Sequence, residues 1–167
     1  MDAITVRRAT PADAPMISPM ISASYAQLMA GSYDRLVLNA AVEKMGRANP
    51  TLLASEKYYV AMEQHGSIVG GGGWSFEMPG TSAVIDGEAH LRHFAVHPDW
   101  AGKGVGGAIF DVCKEAVIAN GVSKLVVDAS LNAEAFYISL GFSGPTPIEV
   151  SLGNGISFPC VRMSMAM

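Results

Sequence analysis

The stretch HPDWAGKGVGG, residues 97–107, constrains the fold of this chain more than any other. It follows a strand-like run, HLRHFAV, and opens an amphipathic run in which Val105, Ile109, Val112 and Ala116 share one helical face. A strand, a glycine-rich turn and a helix therefore follow one another. Backbone N–H groups at the start of such a helix bind phosphate. Three known phosphate-binding motifs resemble this stretch. Features elsewhere in the sequence distinguish between them.

Two of the three patterns fit poorly. A P-loop needs Ser or Thr after its lysine to reach Mg²⁺, whereas Lys103 is followed by Gly104. The dinucleotide pattern G-x-G-x-x-G is met literally by Gly102, Gly104 and Gly107, with Asp128 at the right distance for a ribose. In that fold the turn leaves the strand at once and further parallel units follow, whereas HPDWA intervenes here. A dinucleotide-binding oxidoreductase is therefore the least favoured interpretation.

Length, composition and charge limit the class of protein. The 167 residues suit one domain, which we assign to residues 1–167. Hydrophobic residues make up 50% of the chain and charged residues 16%, a balance that predicts surface buried in a homodimer. The formal net charge of −4 gives no basic field for nucleic acid. No window approaches the roughly 20 apolar residues of a membrane span, and the N-terminus lacks a signal-peptide core, so we expect a cytoplasmic protein without membrane contact.

The two cysteines carry no metal or disulfide signal. Cys113 lies in a helical pattern and Cys160 in a strand-like pattern, with no Cys or His set at metal-ligand spacing. We therefore expect two reduced packing thiols and no metal site.

The first half of the chain predicts a strand, two helices and an antiparallel meander. The run AITVRRAT alternates like a strand and leads into a helix capped by Thr10, although Pro15 and Pro19 favour a later helix start. A second helix is predicted from Tyr33 to Gly46, ending in a left-handed glycine. The run KYYVAMEQHGSIVGGGGWSF predicts two strands joined at residues 64–66, and residues 88–96 predict a third.

The second half predicts the remaining α/β elements. After the amphipathic helix, KLVVDAS reads as a short strand and NAEAFYISLGF as a helix closed by Gly141. Two final strands are predicted, Ile148–Leu152 and Ser157–Met165. The predicted order is β, α, α, β, β, β, α, β, α, β, β.

With this order in place, FAVHPDWAGKGVGGAIF followed by SLNAEAFYISLGF resembles the acetyl-CoA-binding half of the Gcn5-related N-acetyltransferase (GNAT) family. The resemblance is specific over residues 88–142. It implies a GNAT-type fold, a mixed and mostly antiparallel twisted sheet flanked by helices and splayed at the strands around the acetyl-CoA site. It also implies acetyl-CoA as co-substrate, without a metal.

The resemblance assigns the cofactor contacts. The backbone of Phe94, Ala95 and Val96 would line the thioester arm, with one N–H polarising the acetyl carbonyl. Backbone N–H groups would hold the pyrophosphate along the glycine stretch, at Gly102, Lys103, Gly104, Val105, Gly106 and Gly107. Valine at 104 or 106 is expected to block the pyrophosphate and leave the fold largely intact.

This chain departs from the family pattern at two of the cofactor positions. The family often has Gln or Arg at the position of Ala101, so here the backbone must supply more of the binding. The place of a family asparagine near the cofactor is Ser130, while Asn132 stands two residues later, and both stay open.

The resemblance and the residues together give the catalytic candidates. Tyr137 matches the tyrosine that protonates the leaving thiolate in many members of the family. An attacking amine must also lose a proton to a base or to water. His90 stands where some members carry a catalytic glutamate and is the first candidate for the base. Glu88 shares its face of the strand and is the second.

Other residues near this strand have mainly structural interpretations. His93 should point to the face opposite His90, and an arginine such as Arg92 could hold an acidic substrate group or form an ordinary ion pair. The run Gly70–Trp74 indicates a bulge or a close backbone approach at the border of the acceptor cleft. Acceptor specificity in this family is shaped in the first helical region, which here holds apolar residues equally typical of a core, namely Tyr25, Met29 and Tyr33.

The sequence therefore predicts an acetyl-CoA-dependent N-acetyltransferase in which a primary amine, of a small molecule or a peptide, attacks the thioester directly. The alternative from another class is a non-catalytic acyl-CoA-binding or sensor module on the same fold. A turnover assay separates the two.

Overall fold

The computed structural model describes residues 3–167 and consists of one sheet with helices on both faces. The strands are β1 (Ile4–Arg8), β2 (Tyr58–Glu63), β3 (Ile68–Ser75), β4 (Glu88–Val96), β5 (Lys124–Ser130), β6 (Ser143–Gly153) and β7 (Ile156–Ala166). The helices are α1 (Ala14–Leu28), α2 (Arg35–Met45), α3 (Pro50–Ala54), α4 (Val105–Ala119) and α5 (Glu134–Leu140). No helix within these residues is long and apolar enough to cross a membrane.

The sheet is mixed and mostly antiparallel, in the order β1-β2-β3-β4-β5-β7-β6. Among the described strands only β4 and β5 run parallel, and they pair over three residues, from Glu88 opposite Lys124 to His90 opposite Val126. Beyond His90 no described residue of β4 pairs with β5, so the sheet splays into a wedge between the two strands. The predicted fold class and the antiparallel meander β2-β3-β4 are confirmed.

Helices α4 and α5 cover one face of the sheet. The innermost residues of α4 follow an i, i+4 spacing and are at most 1% exposed, namely Val105, Ile109, Cys113 and Val117. Val112 and Ala116, predicted on this face, are only partly buried, because the helix is turned toward Cys113 and Val117 instead. Burying each large apolar side chain here contributes about 1.5–3 kcal/mol to folding. Cys113 is therefore a buried packing thiol, as predicted.

Helices α1 and α2 cover the other face, where residues of the β6–β7 hairpin contribute to the same core. Tyr25, Met29 and Tyr33 are all buried in this core. The ring of Tyr33 stacks on Phe158, with centroids 4.4 Å apart. The Tyr33 hydroxyl donates to the carbonyl of Pro159 at 2.7 Å and accepts the N–H of Leu131 at 2.8 Å. One hydroxyl thereby joins β7 to the segment that follows β5.

Several element boundaries differ from the predictions for local reasons. Residues Pro11–Asp13 form a 3₁₀ turn, and α1 then begins at Ala14 and runs through Pro19 without ending. Helix α2 does end before Gly46, but that glycine has a φ of −82° and is not left-handed. Its absent Cβ would lie 2.2 Å from the carbonyl oxygen of Val42, so space explains the glycine.

Helix α3 and the length of the last two strands were not predicted. Asn49 caps α3 by accepting the N–H groups of Thr51 and Leu52, and Pro50 occupies its first turn. Strands β6 and β7 each extend over 11 residues and pair along most of their length. Most of β6 is exposed, so it lacks the apolar alternation that would have marked its full extent.

Candidate functional site

A bulge in β4 defines the centre of the site. Gly73 of β3 pairs with Arg92, and Gly71 pairs with Ala95, so His93 and Phe94 together oppose Gly72 alone. His93 has a φ of 57°, a left-handed conformation that non-glycine residues seldom adopt. Because side chains alternate along a strand, the extra residue moves everything after it to the other face.

The bulge overturns the prediction that His93 points away from His90. Ala89 and Leu91 pack into the core under α4, so His90 faces the opposite side of the sheet. His93 lies on that same side, where its ring is 6.1 Å from the ring of Tyr25, between centroids. The prediction assumed regular alternation along β4, and the extra residue in that strand reverses the direction of His93.

Hydrogen bonds fix both the backbone and the ring of His93. The Tyr58 hydroxyl donates to the His93 carbonyl at 3.0 Å. The ring Nε2 lies 2.7 Å from the carbonyl oxygen of Met45, and because a carbonyl only accepts, Nε2 must carry the proton. Burial lowers the pKa of His93, with the nearby charge of Arg92 adding to the effect. The ring is therefore neutral at pH 7, with its lone pair on Nδ1.

The glycines of β3 make room for these neighbours. A Cβ on Gly71 would lie 2.5 Å from the hydroxyl of Tyr58, and one on Gly72 would lie 2.7 Å from the ring of Phe94. A Cβ on Gly70 would approach Val105 of α4 to 2.6 Å. The sequence predicted a bulge or a close backbone approach at Gly70–Trp74. The close approach is confirmed at Gly73, where a Cβ would lie 2.3 Å from the carbonyl oxygen of Lys57, whereas the extra residue of the bulge lies in β4.

The glycine stretch forms the turn into α4. Gly102 and Gly104 have φ values of 74° and 83°, which only glycine adopts without strain. No side chain of the described residues caps α4, so the N–H groups of its first turn face outward. Such N–H groups and the helix dipole favour an anion by about 0.3–1 kcal/mol at an exposed site.

The residues of the glycine stretch differ in burial and in the space around them. Val105 is buried, and Lys103 is exposed with its Nζ 5.0 Å from the centroid of the Trp100 ring. A Cβ on Gly107 would meet nothing within 4 Å, whereas one on Gly106 would lie 2.9 Å from the ring of Phe136. Valine at 106 would therefore disturb the packing of α4 on Phe136. The expectation that valine spares the fold is wrong at both positions, because at 104 the left-handed φ of 83° strains any side chain, and at 106 the ring of Phe136 has to shift.

Tyr137 of α5 lies against the bulge. It is 5% exposed, and its ring meets Phe94, Phe136 and Phe142 edge to face. Burial raises the pKa of the Tyr137 phenol, so the hydroxyl keeps its proton at neutral pH. Among residues 3–167 no hydrogen-bond partner holds this hydroxyl. The structure thus brings Tyr137 and Phe94 together, with a proton available at the phenol.

His90 and Glu88 form a polar pair at the closed end of the wedge. His90 is 2% exposed, and its Nε2 lies 3.2 Å from Glu88 Oε2, without the angles of a hydrogen bond. Burial lowers the pKa of His90, while Glu88 partly opposes this. The pair lines a cavity of about 320 Å³ together with Thr146 and Arg162. A neutral imidazole beside a carboxylate can accept a proton.

Asp128 does not have the free carboxylate that a ribose would need. Its two oxygens accept from Arg162 at 2.7 Å and 3.0 Å, in a two-pronged ion pair between β5 and β7. The mostly antiparallel sheet also lacks the repeated parallel units of a dinucleotide-binding fold. Both observations count against the oxidoreductase interpretation.

The two candidates for the last cofactor contact lie side by side. Ser130 ends β5, and Asn132 is exposed in the 3₁₀ turn Leu131–Ala133 that precedes α5. Neither side chain makes a hydrogen bond within the described chain, so the assignment between them stays a prediction.

Two further expectations concern cysteines and metals. Cys113 and Cys160 are both free and buried, and burial raises the pKa of the Cys160 thiol to about 12. Over residues 3–167 no group of three or more His, Cys, Asp or Glu is arranged to hold a metal ion.

Comparison with known proteins gives the family. A model of the acetyltransferase (GNAT) domain matches residues 33–166. A GCN5-related N-acetyltransferase from Rhodopseudomonas palustris is 25% identical, with a TM-score of 0.79, over 100% of this chain and 98% of that one. The PaiA N-acetyltransferase from Thermoplasma acidophilum, in complex with coenzyme A, is 15% identical with a TM-score of 0.71, over 99% of both chains.

A third solved structure and the curated proteins complete the comparison. A GNAT family acetyltransferase from Brucella melitensis, in complex with acetyl-CoA, is 20% identical with a TM-score of 0.59, over 86% of this chain and 85% of that one. The comparison with curated proteins gave no match.

Proposed function

Since this chain belongs to the GNAT acetyltransferase family, we propose that it transfers the acetyl group of acetyl-CoA to a primary amine by direct attack. Two proteins of similar fold are complexes with coenzyme A or acetyl-CoA, which supports acetyl-CoA as the donor. The observation that carries the proposal is the wedge that opens between β4 and β5 after His90. The uncapped N-terminus of α4 follows β4, and Tyr137 lies against Phe94 of β4.

In this proposal the cofactor lies along the wedge. Its pyrophosphate is held by backbone N–H groups at the turn into α4, residues 102–107. Its thioester arm lies beside Phe94, Ala95 and Val96, whose backbone has no strand partner on the β5 side. Backbone groups left unpaired there are free to bind a ligand, and one N–H can stabilise the negative charge that develops on the acetyl oxygen.

The reaction needs one proton to leave the amine and one to reach the sulfur. The amine nitrogen attacks the acetyl carbon, and the tetrahedral intermediate collapses when the C–S bond breaks. Tyr137 gives its proton to the departing thiolate, because burial keeps the phenol protonated until that charge appears. The amide and free coenzyme A are the products.

His90 is our first candidate for the group that takes the amine proton, and Glu88 is the second. Burial keeps His90 neutral at pH 7, and the carboxylate of Glu88 at 3.2 Å would stabilise the imidazolium that forms. Both side chains are on the face of β4 away from α4. The amine therefore approaches from the face opposite the phosphate-binding turn, either directly or through a water.

The test is release of free thiol from acetyl-CoA across a panel of polyamines, aminoglycosides, amino acids and peptide N-termini. Release with at least one acceptor, together with the acetylated amine by mass spectrometry, supports the proposal. Tight acetyl-CoA binding without release from any acceptor would favour the non-catalytic acyl-CoA-binding module.

A further inference from the structure

Arg92 of β4 is a half-buried cation that forms no ion pair with the described residues. Its Nη1 donates to the hydroxyl of Ser75 at 2.9 Å, which is its one hydrogen bond to the described residues. Ser75 in turn donates to the backbone carbonyl of Glu77 at 2.7 Å, so its oxygen is oriented to accept from Arg92. No carboxylate within residues 3–167 lies within 4.0 Å of Arg92. Most of its five N–H donors therefore remain unused.

The other arginines with part-buried hydrogen bonds are paired. Arg7 donates to both oxygens of Asp13, at 2.9 Å and 2.8 Å. Arg162 donates in the same way to Asp128, at 2.7 Å and 3.0 Å. Of the three arginines with part-buried hydrogen bonds among residues 3–167, Arg92 is the one without a carboxylate partner.

An unpaired guanidinium in this position does not help the chain to fold. Removing a charge from water is unfavourable unless an opposite charge and hydrogen bonds replace the water. Consistent with this, burial lowers the pKa of Arg92, and only the exposed Glu77, beyond 4.0 Å, opposes the effect. A ligand that brings a carboxylate would supply the missing partner.

The position of Arg92 indicates which ligand that is. Arg92 lies between His90 and His93 in β4, and its charge adds to the effect of burial in lowering the pKa of each ring. All three side chains therefore lie near one another on the acceptor side of the sheet. Along the strand, Arg92 is two residues from Phe94, so their Cα atoms are at most about 7 Å apart, because an extended strand rises roughly 3.3 Å per residue and the bulge between them shortens this. An arginine side chain spans such a distance easily.

We propose that Arg92 binds a carboxylate of the acceptor, so that the acceptors are small molecules carrying both a primary amine and a carboxylate. The planar guanidinium matches a carboxylate with two parallel N–H···O bonds, a geometry that an ammonium cannot offer. The bound carboxylate holds the molecule by one end while its amine reaches the thioester. This inference rests on the proposed function and specifies its substrate class.

The test compares acceptors that differ only in this group. Glycine, β-alanine and γ-aminobutyrate are each assayed against the matching carboxamide in the thiol-release assay. We expect kcat/KM to be about 10- to 100-fold higher for the carboxylate in the best pair, because a hydrogen-bonded charge pair gives discrimination of this size. An aminoalkylphosphonate of the same length is the third arm. A preference for the phosphonate or the carboxamide would overturn the assignment.

Substitution then connects the preference to the residue. Arg92→Gln should raise KM for the carboxylate acceptor at least tenfold and leave kcat/KM for the carboxamide within about threefold of wild type. Arg92→Lys should recover part of the preference, since it restores charge without the planar fork. Arg8→Gln, an exposed arginine on β1, is the matched control and should keep the full preference.

Stability and binding measurements keep the inference testable apart from turnover. Arg92→Gln should leave Tm unchanged or raise it, whereas a structural role predicts a lower Tm with the acceptor preference intact.

If no acceptor is acetylated, the proposed function fails, and calorimetry still tests whether Arg92 binds a carboxylate. The N-acetylated amino acid should then bind the coenzyme A complex more tightly than its carboxamide in wild type, and equally in Arg92→Gln. Equal binding in wild type would overturn the inference.

Discussion

The rings of Phe94 and Tyr137 meet edge to face, with centroids 6.3 Å apart and 72° between their planes. Phe94 belongs to the bulge of β4, and Tyr137 lies on α5, so this contact fixes the phenol relative to the strand that lines the wedge. An edge-to-face pair of this kind contributes about 0.5–1.5 kcal/mol beyond its buried area. The ring therefore stays in place when the hydroxyl is removed.

Tyr137→Phe should lower kcat about 100-fold or more while Tm and acetyl-CoA affinity stay near wild type. The phenol matters only when negative charge builds on the sulfur, so its loss falls on the chemical step. Steady-state kinetics, calorimetry and thermal melting measure the three quantities. A normal kcat with chemistry shown to be rate-limiting would make Tyr137 a core residue and leave the thiolate to take its proton from water.

His90→Gln should remove the acidic limb from the pH profile of kcat/KM and lower turnover at pH 7. Since burial lowers the pKa of His90, we expect the wild-type limb below pH 6.5. Acetyl-CoA affinity should not change. The companion variant Glu88→Gln should retain part of the activity, because Glu88 stabilises the imidazolium rather than taking the proton. An unaltered limb in His90→Gln would transfer the role to Glu88 or to water.

The stability of the fold should decrease as the pH falls below about 6.5. The folded-state pKa values of His90 and His93 are lowered, so the unfolded chain binds more protons in this range and stability rises with pH. We expect Tm to fall by several degrees between pH 7.5 and pH 5, at about 2–4 °C per kcal/mol for a chain of this length. His93→Asn, which tolerates the left-handed backbone and does not titrate, should flatten the slope. A slope equal to wild type would exclude His93 as a source.

Gly107→Val should weaken acetyl-CoA binding at least tenfold without lowering Tm. A Cβ at position 107 meets no protein atom within 4 Å, and the residue lies in the first turn of α4 beside its N–H groups. Gly107→Ala is the matched control. It should raise stability by up to about 1 kcal/mol, since alanine is the better helix former. Unchanged affinity in the valine variant would mean that the turn only starts a helix.

Acetyl-CoA should stabilise the fold and NAD should not. A ligand at about 100 times its Kd adds roughly 2.7 kcal/mol, which a thermal shift detects readily. Stabilisation by NAD alone would contradict the proposed cofactor site. Dephospho-coenzyme A is a useful third ligand, because it keeps the pyrophosphate that the α4 turn is proposed to hold.

Local sequence signals predicted most of the elements. Strand β4 and strand β5 occupy the predicted residues 88–96 and 124–130, and α5 ends at Gly141, which is left-handed with a φ of 112°. Each of these segments has a glycine at or near one end and a clear apolar pattern, which is why the sequence predicted their limits.

The arrangement around the bulge could not be predicted in the same way. The glycines at 70–73 announced an irregularity, but the extra residue lies in β4, and its position depends on the register between two strands. For the same reason Tyr58, which holds the His93 carbonyl, carried no signal. The sequence likewise could not show that Arg92 forms no ion pair with the described residues, because that depends on which carboxylates lie near it in the folded chain.

Gly106 of α4 lies against Phe136 of α5, next to Tyr137, and a Cβ on Gly106 would be 2.9 Å from the Phe136 ring. Sequence change at these two positions is therefore coupled. A larger residue at 106 requires the ring of Phe136 to shift or to be replaced by a smaller side chain, so we expect the two positions to vary together in related sequences. Mutagenesis that diversifies this region should therefore randomise the two positions as a pair, and we expect glycine to be enriched at 106 in single-site libraries.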